Sequence, residues 1–264
     1  QDRRDLLNCN KCRGAGDQGV LRGNIQALPA IMLGTMLFAG GVTAGDLFQP
    51  LVIGGQTVKW FPREDGRVVL TFAIARDDMT FEGAINCARI RSPRALLEKS
   101  AIDGVRFRQA LSAAFGTWER AANVSFVEIE DPHKAQIVVG AQVETEGYAF
   151  SNVVPGARIS NGFREISRAQ VCLNPLRKWK LGFGGDLSIY DLKYTLTHEI
   201  GHAIGLDHPT GRGHLMSFRY SEKLDGLSGG DRAGAEYVYG ARLQTRQTRD
   251  ERDRAAANTH AMAN

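Results

Sequence analysis

Cysteine is scarce: the 264-residue chain holds 4, at positions 9, 12, 87 and 172. Cys9 and Cys12 form one C-x-x-C. A metal knuckle needs a second such pair, so no structural zinc is expected there. Cys87 and Cys172 would pair as a disulfide in an oxidising compartment and would otherwise be two buried free thiols. Neither is placed to act as a nucleophile. A charge excess of one sign is also lacking. The net charge is +4, from 33 basic and 29 acidic residues, and no basic stripe is interleaved with aromatics, which argues against nucleic acid as a partner. The chain has little in the way of long apolar runs. The longest, Ala27–Val42, is short for a membrane span, and Pro29 and the Gly40–Gly41 pair weaken it as a spanning helix.

That run has a second reading. Arg22 is the last charge before a stretch without ionised side chains from Gly23 to Gly45, and V-T-A (Val42–Ala44) closes it with small residues. This is the pattern of an export leader cut after Ala44, the alternative being an uncleaved anchor. R-R-D-L-L (Arg3–Leu7) lies too far upstream to serve as a twin-arginine signal. The expected product is secreted or periplasmic/extracellular, monomeric, and without stable membrane association once the leader is cut. The expected division is a leader over 1–44, a short segment over 45–58, a folded catalytic domain over 59–241 and a charged, flexible tail over 242–264. A hydrophobic content of 43% suffices for a core in that domain.

What is present is concentrated in one place. Residues 198–208 read H-E-I-G-H-A-I-G-L-D-H, so three of the 6 histidines fall in one short stretch. His198 and His202 are one helical turn apart, and both rings project from one face. Glu199 follows the first of them and can reach a water held by a metal there, though not the same coordination position. Gly205 can take positive φ, end the helix and turn the chain so that His208 closes the site. Three neutral imidazoles with one position left for water form a catalytic rather than a structural zinc pattern.

This stretch resembles the metzincin metallopeptidases, whose pattern H-E-x-x-H-x-x-G-x-x-H is followed by a methionine-containing turn. H-L-M-S-F-R-Y supplies that turn, with Met216 as the residue that the resemblance places beneath the imidazoles as a hydrophobic floor. The short segment Pro209–Leu215 is similar to the matrixin branch. Serralysins place a tyrosine two residues after the methionine as an extra ligand. Here that residue is Phe218, so the role is not transferred, and Tyr220 is out of register for it. Gly229–Gly240 resembles the closing helix of these domains, with Asp231 near its start and Gly240 as its stop. The resemblance implies an α+β fold of metzincin type: a twisted, mostly parallel five-stranded sheet, a long helix, an active-site helix, and a small C-terminal subdomain ending in a helix. It implies a compact form, with no hemopexin domain and no calcium roll. No P-R-C-G motif is present, so latency through a propeptide thiolate is not carried over.

The rest of the chain fits that order. Val68–Ala75, Val124–Glu130 and Ala135–Ala141 read as strands. Ile102–Ala122 reads as a helix whose core face is Phe107, Ala110, Leu111, Ala114, Phe115 and Trp118. Gly147–Phe150 and Ala169–Pro175 read as two short strands, the former near the sheet edge by the resemblance. Ser151–Arg168, rich in glycine and polar residues, reads as a loop. Lacking histidine and aspartate, it offers no ligands for the structural zinc and calcium that matrixins hold in this region. Asp186 and Asp191 are candidate ligands for a structural Ca2+ with neighbouring carbonyls, surface solvation being the simpler role. Ile189, Leu192, Leu196, Ile200 and Ala203 form the packed face of the active helix. His133 and His214 read as loop histidines.

The chemistry expected is hydrolysis of peptide bonds in a protein or peptide substrate. One catalytic Zn2+ is held by His198, His202 and His208, with Glu199 as general base. Gly205 and Met216 support the site, and Ser217, Phe218 and Tyr220 are candidate pocket residues. Two other functions share this pattern: a catalytically quiet zinc domain that binds protein, and a zinc hydrolase of a non-peptide amide.

Overall fold

A computed structural model describes residues 44–242 apart from Ile85. The leader up to Thr43, with Cys9 and Cys12, and the tail beyond Arg242 lie outside the described residues. In chain order a turn of helix α1 (Ala44–Leu47) leads to β1 (Gln49–Pro50), β2 (Val52–Ile53), β3 (Gln56–Lys59), β4 (Val68–Ile74), β5 (Met79–Thr80) and β6 (Arg89–Arg91). Then come helices α2 (Arg94–Lys99) and α3 (Gly104–Ala121), and strands β7 (Val124–Glu128), β8 (Ile137–Gln142), β9 (Ala149–Ser160) and β10 (Phe163–Leu173). The chain closes with β11 (Trp179–Lys180), β12 (Tyr190–Asp191), α4 (Leu192–Ala203), β13 (Leu206–Asp207) and α5 (Gly229–Tyr239).

The main sheet is built on β7, β4, β8 and β10, each parallel to the next. β9 pairs antiparallel with β10 along its full length on one side, so β8 and β3 share the other side end to end, both parallel to it. This is the mostly parallel five-stranded frame, and short strands extend it to 9. β8 is buried at every position, as befits a central strand covered on both faces.

Helices α3 and α4 cover one face, and the main core lies between them and the sheet, around Phe107, Phe115, Trp118, Leu173 and Leu196. Asp103 starts α3 by accepting the Arg106 N–H at 2.8 Å. The face of α3 expected from periodicity is the buried one, and Trp118 has no solvent exposure. The other face of the sheet lies under a loop carrying β5 and β6, with Ala75, Met79, Phe81 and Ile90 packed on Val138. A disulfide from Cys87 to Cys172 stitches this loop to β10.

The stretch Ser151–Arg168 is a hairpin and not a loop. β9 and β10 are 12 and 11 residues long, and only Asn161 and Gly162 separate them. Both take left-handed φ, 50° and 78°, which is what the two central residues of a type I′ turn require, and Asn-Gly is the dipeptide that suits it best. Two register shifts between β9 and β10 around Ile166, opposite Pro155, break the alternation that would have marked the strands.

The segment before Trp60 packs into the same body. β1 pairs antiparallel with β13, Gln49 opposite Asp207, and Leu51 N–H donates to Gly205 O at 2.9 Å. Trp60 is buried and its indole N–H donates to Ala203 O at 2.8 Å.

Candidate active site

The active helix begins where Asp191 accepts the Tyr194 N–H at 2.6 Å. Asp191 is 2% exposed and its second oxygen takes the Gly182 N–H at 2.6 Å. Surface solvation is therefore not its role, because capping α4 draws it inside. Apart from Lys193, every residue of α4 is buried. A helix enclosed on all sides must satisfy each polar group internally, and Thr195 and Thr197 do so by donating to carbonyls one turn back, at 2.9 and 2.7 Å. The helix stops at Gly205, whose φ is 95°. A Cβ there would lie 2.5 Å from Val58 O, so glycine is demanded by space as well as by conformation.

The turn brings His208 back to the two helical imidazoles. The Nε2 atoms lie 3.1 Å apart for His198 and His202, and 3.2 Å from each to that of His208. The Nδ1 atoms of His198 and His202 lie 2.8 Å from Leu215 O and 2.8 Å from Leu206 O. A carbonyl only accepts, so Nδ1 carries the proton on both rings and the Nε2 lone pairs converge. A zinc ion with bonds of about 2.0–2.1 Å in tetrahedral geometry needs ligand atoms about 3.3–3.4 Å apart, so the spacing fits with little adjustment. Burial lowers the pKa of His198 to about 3 and also lowers that of His208, with His202 adding to both shifts. Both rings are thereby held in the neutral, metal-binding form. These three residues could hold a metal ion.

Glu199 is 2% exposed. Burial raises its carboxyl pKa, against the pull of His202. Its backbone carbonyl accepts the Ser151 hydroxyl at 2.6 Å, tying the active helix to strand β9. Met216 is 2% exposed and packs against the helix at Gly201. A Cβ on Gly201 would lie 2.3 Å from Met216 Sδ and 2.8 Å from Trp118 Cζ2. Gly201 thus lets α4, Met216 and α3 close on one another, a role sequence reasoning missed.

It also missed what holds the methionine turn. Asp231 is 1% exposed and its carboxylate accepts the N–H of Leu215 at 2.8 Å and of Met216 at 3.0 Å. It completes a capping box at the start of α5 with Ser228. The S-x-x-D spacing at 228–231 is the available signal for the cap, but the grip on Leu215, whose carbonyl orients His198, comes from the fold. His214 stays off the triad, with Nδ1 2.7 Å from the Ser228 hydroxyl.

The pocket candidates part company. Phe218 sits edge-on to His208 with ring centroids 5.3 Å apart. Ser217 is 7% exposed and its hydroxyl donates to Gly211 O at 3.2 Å. Tyr220 stacks on Tyr190 at 4.0 Å and meets Tyr194 edge-on at 4.9 Å. Its hydroxyl donates to Glu222 at 2.8 Å and accepts the Asp191 N–H at 2.7 Å, so it is engaged away from the triad.

The model of the family described as Matrixin matches residues 94–240, more than half of the chain. Stromelysin-3 of Rattus norvegicus is 27% identical over 136 residues, which is 50% of this chain and 27% of that protein. Stromelysin-3 of Mus musculus gives the same figures, 27% over 136 residues. Metalloendoproteinase 4-MMP of Arabidopsis thaliana is 30% identical over 139 residues, 50% of this chain and 40% of that protein. The chain therefore covers well under half the length of these relatives. Among the described residues no helix is long and apolar enough to cross a membrane.

Proposed function

Because the chain belongs to the matrixin family, we propose that it is a zinc-dependent endopeptidase in which His198, His202 and His208 hold one zinc ion and Glu199 is the general base. The observation that carries this reading is the convergence of three Nε2 atoms within 3.2 Å of one another, beside a buried carboxylate. Zinc bound there would polarise the scissile carbonyl and bring the pKa of a water to about 7. Glu199 takes the proton of the attacking water and returns it to the departing amine. Its burial supports that role, since a carboxylate with a raised pKa is the better base near neutrality. An extended peptide would lie along β9, whose outer edge bears no partner strand among the described residues. Phe218 would give the pocket after the cut an apolar lining.

Export is part of the same reading. The Cys87–Cys172 disulfide supports an oxidising destination, and the leader would be removed after Ala44. The catalytic domain would span 59–241, with 45–58 packed onto it, and act as a monomer on protein substrates in the periplasm or outside the cell.

The test is cleavage of casein and of quenched peptides by the purified protein, with chelator and then zinc added back. The expected result is activity that chelator abolishes and zinc restores, and that Glu199→Ala lowers at least roughly 100-fold while zinc is retained. Full turnover in Glu199→Ala would falsify the general-base assignment. Zinc content without peptide cleavage would favour a quiet binding domain, and cleavage of small acyl substrates alone would favour a different amide hydrolase.

A further inference from the structure

The loop before the active helix has little packing of its own. Gly182, Gly184 and Gly185 all take left-handed φ, and Phe183 and Leu187 are exposed. It is wound instead around an ammonium. Lys180 Nζ lies 2.6 Å from Gly184 O, 3.1 Å from Asp186 O and 2.6 Å from Glu222 Oε1. Three donors meet three acceptors, with the two side chains only 18% and 10% exposed.

The pair opens onto a closed circuit. Glu222 Oε2 accepts the Gly184 N–H at 2.6 Å and Oε1 accepts the Tyr220 hydroxyl at 2.8 Å. The Tyr220 oxygen accepts the Asp191 N–H at 2.7 Å, and Asp191 accepts both Gly182 N–H and Tyr194 N–H at 2.6 Å. Three pieces of chain are thereby joined: the glycine loop, the segment after Met216, and the first turn of the helix that carries His198 and His202.

Two backbone carbonyls and a carboxylate around a positive charge are the oxygen donors a bound calcium would use, yet the charge here is internal. Of the two aspartates near it, Asp191 is committed to backbone donors, which take both its oxygens. Asp186 gives one oxygen to the loop's own turn, accepting the Ser188 N–H at 2.8 Å.

We propose that Lys180 and Glu222 form a positioning clamp, an internal ammonium standing in for a structural cation, that fixes Tyr220 and with it the Ser217–Tyr220 wall of the substrate cleft. The cleft part of this rests on the peptidase reading; the clamp itself does not. A half-buried carboxylate left without its partner destabilises whatever it holds, so the wall loosens while the triad, oriented by Leu215 and Leu206, stays intact.

The test compares wild type, Lys180→Met, Lys180→Arg and Glu222→Gln, all zinc-loaded, by amide hydrogen exchange, peptide kinetics and thermal unfolding with and without millimolar calcium. In Lys180→Met the Gly184 and Asp191 amides should exchange about tenfold faster or more. KM should rise about tenfold with kcat within about twofold, zinc content should be unchanged, and Lys180→Arg should recover most of the KM. Calcium should leave the wild-type Tm where it is. Wild-type exchange rates in both Lys180→Met and Glu222→Gln, a loss confined to kcat, or a wild-type Tm that calcium raises would each overturn the clamp. If wild type cleaves no peptide, the parent reading fails while the exchange rates still decide the clamp. Should Lys180→Met not fold, Glu222→Gln, which keeps the shape, carries the same comparison.

Discussion

Helices α3 and α4 cross in the core, where the Trp118 indole N–H donates to Thr197 O at 2.8 Å, but they are held by different physics. α3 is amphipathic. It buries Phe107, Leu111, Phe115 and Trp118 and turns Arg106, Arg108 and Gln109 to solvent. Each large side chain so buried stabilises by about 1.5–3 kcal/mol, whatever its exact partners. α4 is enclosed except at Lys193, yet it puts Thr195, Thr197, His198, Glu199 and His202 in the interior. Those groups cost desolvation unless each is matched: the two threonines bond to carbonyls one turn back, and His198 and His202 are held by the carbonyls of Leu215 and Leu206 beyond the helix. α3 is specified by area and tolerates exchange. α4 is specified by partners and does not.

The comparison breaks most sharply at the triad. His202→Ala should remove the metal site, so zinc measured in purified protein should fall from stoichiometric to background and peptide cleavage with it. Next comes the support from outside the helix. Asp231→Ala would strip acceptors from Leu215 N–H, Met216 N–H and Ser228 N–H, and should cost about 3 kcal/mol in denaturant unfolding. Gly201→Ala should cost about 1–3 kcal/mol, because Met216 and Trp118 must both give way; a stability equal to wild type would mean α4 is not packed as tightly as described. At the small end, Val105→Ser on α3, at 67% exposure, should change stability by less than about 0.5 kcal/mol. A large effect there would erase the distinction between the two helices.

The same contrast accounts for what could be read from the sequence. The triad was legible because its members lie within one turn-and-reversal of chain, so spacing stands in for geometry. α3 was legible because period-3.6 burial is written into its residues. Asp191 was only half legible: its place one residue before the helix marks the cap on Tyr194, but its bonds with Gly182 and the Tyr220 hydroxyl, which draw it inside, leave no local mark. Gly201 looks like any helical glycine until Met216 and Trp118 arrive beside it. The β9–β10 hairpin was hidden by its composition and its bulges, although Asn161–Gly162 announced the turn to anyone weighing the dipeptide. The disulfide was left open, because residue identities carry no distance between Cys87 and Cys172.

The antiparallel contact of Gln49 and Pro50 with Leu206 and Asp207 makes the upstream end of the folded body a splint for the third imidazole. Thr210 adds a clasp, its hydroxyl 2.7 Å from Asp46. Proteolysis or recombinant trimming past Leu51 would therefore release the histidine that the helix cannot hold by itself. We expect such shortened protein to bind zinc at least about tenfold more weakly in chelator competition, so the point at which the chain is cut would set how firmly the three imidazoles can grip an ion.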